Sequence, residues 1–351
     1  MAYKHWSEKK IKHQIKELKS KYAHTKNELF LEDAESLKQL LNGEIDVFNM
    51  PFTFQDQLED DARALDLHFD FLDDIEKFAL ENAKKFQKFQ LDGIFPIGNL
   101  SPSLILDFMK EFFYDYDEKF GKIFDELYKE RFNNLMFSKG RSISYYVPSL
   151  EYSYINIFKD NSLDDFVNAV HEYTHAIVDR LYYREQGYTN YPFIELFSMF
   201  MEMIAADYMM DMFDDMEEDL NTIRLAGAKQ LVVYAENISI EKNYIYQTHE
   251  IEDRKKVIAG MVNLSGKSRT YVKKLLDKTA IEKLSYTIPY ITAIELYYLY
   301  KTDKVACKNL IEYLIYVDGL ENYNVNLNDN GIILNTHSSE WIDTLIKRKK
   351  S

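Results

Sequence analysis

A chain of 351 residues with 43 Lys and Arg against 58 Asp and Glu carries a formal charge of −15, which argues against a nucleic-acid binder because binding phosphates requires clustered positive charge. The composition is 46% hydrophobic, with only 11 Gly and 6 Pro. So few turn residues argue against a β-sandwich, a barrel or a Gly-rich nucleotide fold, and they predict a mainly helical globular protein.

The single cysteine, Cys307, excludes an internal disulfide and fits a reducing compartment, so we expect a cytoplasmic protein. The first residues, MAYKHWSEKKIKHQ, lack the apolar run of a secretory signal. The most apolar window, residues 196–213, contains three acidic residues and is not a membrane span. We therefore expect neither a membrane nor a nucleic acid among the partners.

Apolar residues recur at helical spacing through the N-terminal part of the chain, which predicts helices over 10–41, 55–90 and 102–137. The segment 142–157 is rich in Tyr, Ile and Ser and predicts two short strands around a turn, which Pro148 confines to an edge. Further helices are predicted over 161–177, 192–213, 217–264, 268–276, 290–317 and 339–347.

The most informative segment is His171-Glu172-Tyr173-Thr174-His175, an H-E-x-x-H motif. Residues four apart share a helix face, so His171 and His175 can point at one Zn²⁺ while Glu172 acts on a metal-bound water. With 8 histidines in the chain, chance gives such a pattern in about one or two of a hundred shuffled sequences. A pair of packed core histidines is the alternative, and the apolar flanks of a buried helix favour the metal.

A candidate third ligand, Glu195, follows His175 by 20 residues, near the start of the next predicted helix. Glu195, Ser198 and Glu202 share one helix face, and their neighbours are apolar nearly all round. Acids in such a helix need a partner or a metal, although they could also merely solvate it. We expect Glu195 to complete a His₂Glu site for one zinc per chain, with Glu202 and Ser198 orienting a ligand histidine.

Three blocks of the sequence resemble the thimet oligopeptidase and oligoendopeptidase F group of zinc metallopeptidases. They are Gly140 to Ile155, the segment NSLDDFVNAVHEYTHAI at 161–177, and YPFIELFSMFME at 191–202. Together they are far more specific than H-E-x-x-H alone. A weaker fourth block, Ile288 to Tyr300, is similar to the tyrosine-bearing segment of the group.

The resemblance implies a mainly α, zincin-like metallopeptidase fold with a small β-hairpin whose edge strand lies beside the zinc helix. Residues 1–135 would form an N-terminal helical region and residues 136–351 the catalytic region. The hydroxyl of Tyr298 or Tyr300 would face the substrate carbonyl, unless these tyrosines are packing residues in a tyrosine-rich chain. Three further aromatic residues would contact substrate: Tyr145, Tyr152 and Tyr290.

The sequence also departs from the pattern of the group. Thr174 replaces the Gly of the group's motif, and Ile194 stands where thermolysin-type enzymes have Asn. Tyr290 replaces the histidine that the group has beside the proline at position 289. The residue that would stabilise the oxyanion is therefore left open. Residues 1–135 are fewer than the helical lobe of the group, so we expect a shortened N-terminus and a more open cleft, or one closed by a second subunit.

The sequence therefore predicts zinc-dependent hydrolysis of oligopeptides, with Glu172 as general base and the substrate backbone pairing with the edge strand. A catalytically inactive, zinc-containing peptide-binding module of the same fold is the main alternative. A helical scaffold with a chance motif is a third. The oligomeric state is left open, with a homodimer as one alternative.

Overall fold

The structure, a computed structural model, describes residues 8–26, 28–42, 69–87, 100–138, 142–147, 152–159, 163–185, 193–213, 217–248, 254–278, 280–315 and 327–348. Within these ranges the chain is mainly α-helical with one small mixed sheet, which confirms the predicted fold class. None of the described helices combines the length and the apolar character that crossing a bilayer requires.

In chain order the described elements are α1 (Glu8–Thr25), α2 (Glu28–Leu41), α3 (Phe69–Gln87), α4 (Pro102–Tyr116), α5 (Glu118–Asn134), β1 (Leu135–Ser138), β2 (Ile143–Val147), β3 (Tyr152–Phe158), α6 (Asp164–Glu185), α7 (Phe193–Met212), α8 (Glu217–Thr248), α9 (Arg254–Ser265), α10 (Arg269–Leu275), α11 (Ala280–Thr302), α12 (Lys304–Ile315) and α13 (Ser338–Arg348).

The chain divides into two compact units, and each unit is built from two stretches. The first unit comprises Met1–Pro51 and Pro96–Thr189, and the second comprises Phe52–Phe95 and Asn190–Ser351. The predicted division at residue 135 separates regions by function, and it stays a prediction.

The sheet of the first unit has the strand order β1-β3-β2. β3 is central, parallel to β1 with Leu135 opposite Ile155, and antiparallel to β2 with Tyr145 opposite Tyr154. The predicted hairpin is thus confirmed, and β2 is an edge strand of the described sheet. Five consecutive residues of β3 are buried, as expected of a strand covered on both faces.

The core of the first unit is aromatic. Helix α6 packs against β2 and β3 and also against α4 and α5. The ring of Tyr173 on α6 lies 5.2 Å from that of Phe124 on α5, which lies 5.4 Å from Phe113 on α4. All three side chains are fully buried, so these contacts fix α6 firmly.

The second unit is a helical assembly. Helix α11 packs against α7, α8, α12 and α13, and the 32-residue α8 packs against α3. Helix α7 carries an almost uninterrupted apolar sequence and is buried over most of its length. A helix that is apolar nearly all round belongs in the interior of a protein, and its few polar side chains therefore require partners.

Several predicted helices are in fact pairs of helices. The predicted helix 10–41 is broken at Lys26, whose φ of 57° lies in the left-handed region and ends α1. The predicted helix 102–137 is broken at Asp117, whose extended backbone ends α4 and whose carboxylate accepts a hydrogen bond from the Lys119 N–H of α5. Its last residues form β1, because they pair with β3.

The same kind of break divides the predicted helices of the second unit. The predicted helix 217–264 consists of α8 and α9, and the predicted helix 290–317 consists of α11 and α12. Helix α11 begins ten residues before Tyr290 and continues through Pro289, although proline removes a helical hydrogen bond. Of the predicted helix 55–90, residues 69–87 are confirmed as α3, and the remainder lies outside the described residues.

Candidate metal centre

Helix α6 places its motif at the packed centre of the first unit. Asp164 and Asp165 lie in its first turn, where negative side chains stabilise the helix dipole. The residues around the motif are buried apolar side chains that face the sheet and the neighbouring helices: Phe166, Val170, Ala176, Ile177 and Leu181. The 3.6-residue period then puts both histidines on one common side.

The two histidines of the motif lie in contact. Nε2 of His171 and Nε2 of His175 are 3.0 Å apart, and the rings meet edge to face with centroids 4.6 Å apart. Two nitrogens bound tetrahedrally to one zinc at about 2.0–2.1 Å are about 3.3–3.4 Å apart, so this geometry is close to that of a shared ion. The pair is chemically suited to hold a metal, and the same distance allows a hydrogen bond between the rings.

Glu172 and Thr174 lie inside the same helix turn. Glu172 is buried, with 5% of its surface exposed, next to a half-buried His171. Thr174 is fully buried, and its hydroxyl donates to the Val170 carbonyl at 2.7 Å. Since that hydroxyl is satisfied within the helix, a threonine fits at the position where the resembled group has glycine.

Tyr152 and Tyr145, which we expected to contact substrate, occupy different strands. Tyr152 begins the central strand β3, where its ring packs edge to face on Tyr154 at 4.8 Å. Burial and the nearby Glu130 raise the pKa of Tyr152 to about 12. Tyr145 lies in the edge strand β2, and its side chain is outside the described part of the structure.

The predicted third ligand belongs to the second unit. Glu195 lies in the first turn of α7 and is half-buried. On the same helix Ser198 is fully buried and Glu202 is half-buried. Burial of a carboxylate on such an apolar helix is costly unless a cation or hydrogen bonds compensate for it.

The three candidate tyrosines of α11 have three different surroundings. Tyr290 is buried, which raises the pKa of its hydroxyl, and that hydroxyl accepts a hydrogen bond from Trp341 at 3.3 Å. Tyr298 stacks on the imidazole of His337, with centroids 4.3 Å apart, and burial raises its pKa to about 12. Tyr300 meets the ring of Phe200 on α7 at 5.7 Å, edge to face.

A polar cluster that the sequence pattern does not predict surrounds Asp207 of α7. The Asp207 carboxylate accepts hydrogen bonds from Arg224, Tyr297 and Lys301 at 2.7, 2.7 and 2.5 Å. The available signal was an aspartate within an otherwise apolar helix, which requires partners. The partners lie 17 to 94 residues away in sequence, so the pattern alone could not name them.

No family model matches the sequence, and no curated protein matches it. Solved structures that resemble the chain include a protein described as oligoendopeptidase F from Bacillus anthracis str. Ames, at a TM-score of 0.55 and 16% identity over 97% of this chain. A second structure described as oligoendopeptidase F matches 84% of the chain at a TM-score of 0.54 and 13% identity. PZ peptidase A matches 93% at 0.52 and 13%.

These identities are low, so the likeness shows the fold and not the activity. The chain spans 61% and 57% of the two oligoendopeptidase F structures and 67% of PZ peptidase A. The chain therefore has the mainly helical fold of these peptidases over the larger part of their length. The fold expected from the sequence resemblance is confirmed.

Proposed function

We propose that the chain is a zinc-dependent metallopeptidase that hydrolyses oligopeptides. The single observation that carries this proposal is the pair of imidazole nitrogens 3.0 Å apart on α6, with the buried carboxylate of Glu172 between them in sequence. The fold that the chain shares with oligoendopeptidases supports it further. Neither support depends on the other, because the histidine geometry follows from helical spacing alone.

The proposed ligands are His171, His175 and Glu195, each of which offers one atom of a type that zinc binds. Bound by two imidazoles and one carboxylate, zinc would supply a Lewis acid that brings the pKa of a water towards neutrality. Glu202 and Ser198, buried or half-buried on the helix that carries Glu195, would orient the ligand side chains.

Glu172 has the role of general base in this proposal. Its carboxylate would take a proton from the attacking water and deliver it to the leaving amine. Glu172 is not needed as a zinc ligand, yet the motif has a carboxylate at this position, where general-base chemistry would use it. This favours catalysis over a zinc-containing peptide-binding module.

Tyr300 is the better candidate for the oxyanion donor. It packs on Phe200, which follows the proposed ligand Glu195 by only five residues on α7, or about 7.5 Å along the axis. Tyr298 instead stacks on His337 and is the second choice. The substrate backbone would add to the edge strand β2, near Tyr145, with Tyr152 and Tyr290 as further proposed contacts.

Metal analysis and one substitution test the proposal. The purified protein is expected to contain about one equivalent of zinc. Glu172→Gln should keep the metal and lose about 10³-fold or more of the cleavage of a mixed peptide pool, read by mass spectrometry. Glu218→Gln, an exposed residue of the first turn of α8, is the matched control and should behave as wild type.

Two outcomes would contradict this proposal. Wild-type protein that binds zinc and peptides but cleaves none would indicate the inactive module. Protein that binds no zinc would leave the histidine pair as a hydrogen-bonded feature of the core.

We also propose a reducing compartment for the protein, because its cysteine is buried as a free thiol.

A further inference from the structure

The second unit contains a cavity of about 730 Å³ between α7, α8, α11 and α13. This volume falls within the range of small-molecule sites, about 300–1,000 Å³. Asp207 on its wall follows Glu195 by 12 residues on the same helix, or about 18 Å along the axis. The cavity is therefore distinct from the residues proposed to hold zinc.

The inner wall of the cavity carries one net positive charge. Arg224 and Lys301 both donate to Asp207, and Tyr297 adds a third hydrogen bond. Burial raises the pKa of Asp207, but these three partners lower it more, so the net shift is downward and the carboxylate stays ionised. Because two cations face only one carboxylate, they can pair with a second, singly charged anion. The amine of Lys301 is half-exposed and therefore accessible to that anion.

The outer wall has the opposite sign. Asp211 and Glu340 line the cavity and are exposed, and neither forms an ion pair among the described residues. Glu217 differs, since Arg348 lies 3.7 Å away. Free carboxylates at this edge repel a multiply charged anion such as a nucleotide and attract an ammonium group.

Aromatic rings form the apolar part of the wall. Tyr297 meets Trp341 edge to face with centroids 4.8 Å apart, and Trp341 also lies within 5.3 Å of the Arg224 guanidinium. Tyr298 is held by its stack on His337. Rings fixed in this way present a rigid apolar surface that needs little reordering when a ligand binds.

We propose that this cavity binds a free α-amino acid with an apolar or aromatic side chain. The carboxylate would lie at Lys301, the ammonium group at Asp211, and the side chain against Trp341 and Tyr298. An α-amino acid carries one ammonium group and one carboxylate, so a cavity lined by both a cation and carboxylates can pair with both charges, whereas a simple anion or a simple cation would pair with only one. This inference goes beyond the peptidase activity and does not depend on it.

Calorimetric titration of the full chain with L-phenylalanine tests the inference, and the Glu172→Gln protein in EDTA separates it from any binding at the proposed metal site. We expect saturable binding, weakened about tenfold or more for both N-acetyl-phenylalanine and phenylalaninamide, since each lacks one charge. Lys301→Met and Asp211→Asn should each weaken binding of phenylalanine to a similar degree. The matched controls Lys273→Met and Asp329→Asn lie on exposed positions away from the cavity and should bind as the parent does.

Three results would overturn the inference. Equal binding of phenylalanine and its two derivatives would show that the charges are not read. If neither Lys301→Met nor Asp211→Asn changes the binding of phenylalanine, and both variants keep the melting temperature of the parent, the ligand lies elsewhere. Inorganic phosphate that binds more tightly than phenylalanine would make the cavity a simple anion site.

Discussion

The guanidinium of Arg180 donates to Oε2 of Glu130 at 2.6 Å and so ties α6 to α5. Arg180 is only 2% exposed, and Glu126 of α5 offers a second carboxylate at 3.6 Å. Arg180 follows His175 by five residues on α6. The ion pair therefore fixes α6, the helix that carries both histidines, against α5, which contributes to the aromatic core of the first unit.

Removing either member of this ion pair should destabilise the protein, but unequally. Glu130→Ala leaves a buried guanidinium without its close partner and should lower the free energy of unfolding by about 3 kcal/mol. Arg180→Met keeps the volume and removes the buried charge, while the partly exposed glutamates stay hydrated, so its cost should be about 1 kcal/mol. Urea unfolding measures both values.

Glu118→Ala is the control for this comparison, because Glu118 forms an exposed pair with Lys122 of the same helix. Exposed pairs of this kind contribute little to stability, because solvent and salt screen them. Equal costs for Glu130→Ala and Arg180→Met would contradict a role for buried charge and would point to side-chain packing instead.

The elements near the candidate site were predictable because their signals are local. The spacing of His171 and His175 fixes their common face, and the Tyr-rich run around Pro148 predicts the β2–β3 hairpin. β1 was missed because four residues at the end of a helix become a strand only through pairing with β3, which is a long-range contact. Arg180 was missed because its partner lies 50 residues away.

The start of α11 was predicted too late. The predicted helix 290–317 begins just after Pro289, a residue that cannot donate the helical hydrogen bond. Helix α11 nevertheless runs from Ala280 through Pro289, and its residues 287–296 are buried without interruption. Burial of that apolar surface outweighs one lost hydrogen bond, and such tertiary stabilisation is invisible to a local pattern.

Removal of metal should lower thermal stability if the proposed zinc site is correct. A ligand that binds only the folded state at 100 times its dissociation constant stabilises that state by about 2.7 kcal/mol. EDTA treatment should therefore lower the melting temperature measurably, and added zinc should restore it. His175→Asn should melt lower than wild type and be insensitive to EDTA, whereas His13→Asn, an exposed residue of α1, should respond to EDTA as wild type does. An unchanged melting temperature of wild type in EDTA would contradict the site.

Acid should weaken the protein through Asp207. Because the folded-state pKa of this carboxylate is lowered, its contribution is complete above the unfolded pKa of about 3.9 and is lost as the pH falls through the folded value. Asp207→Asn leaves the nearly buried Arg224 without an anion and should cost about 3 kcal/mol at pH 7. The cost should shrink at pH 3, where wild type begins to lose the same interaction. Urea unfolding at both pH values measures this, with Asp329→Asn as the exposed control, and a cost that is equal at both would contradict the assignment.

Two glycines within helices should respond oppositely to alanine. A Cβ at Gly227 of α8 would meet no atom within 4 Å, so Gly227→Ala should raise the free energy of unfolding by about 0.5–1 kcal/mol through helix propensity.

A Cβ at Gly260 of α9 would overlap the ring of Tyr244, which is 4% exposed and cannot move away freely. Gly260→Ala should therefore cost about 1–3 kcal/mol despite the same propensity gain. Tyr244→Leu should cost less unfolding free energy in the Gly260→Ala protein than in wild type, because in the Gly260→Ala protein it also removes the clash. Urea unfolding of the four variants measures these differences, and a stabilised Gly260→Ala protein would contradict the close packing of α8 on α9.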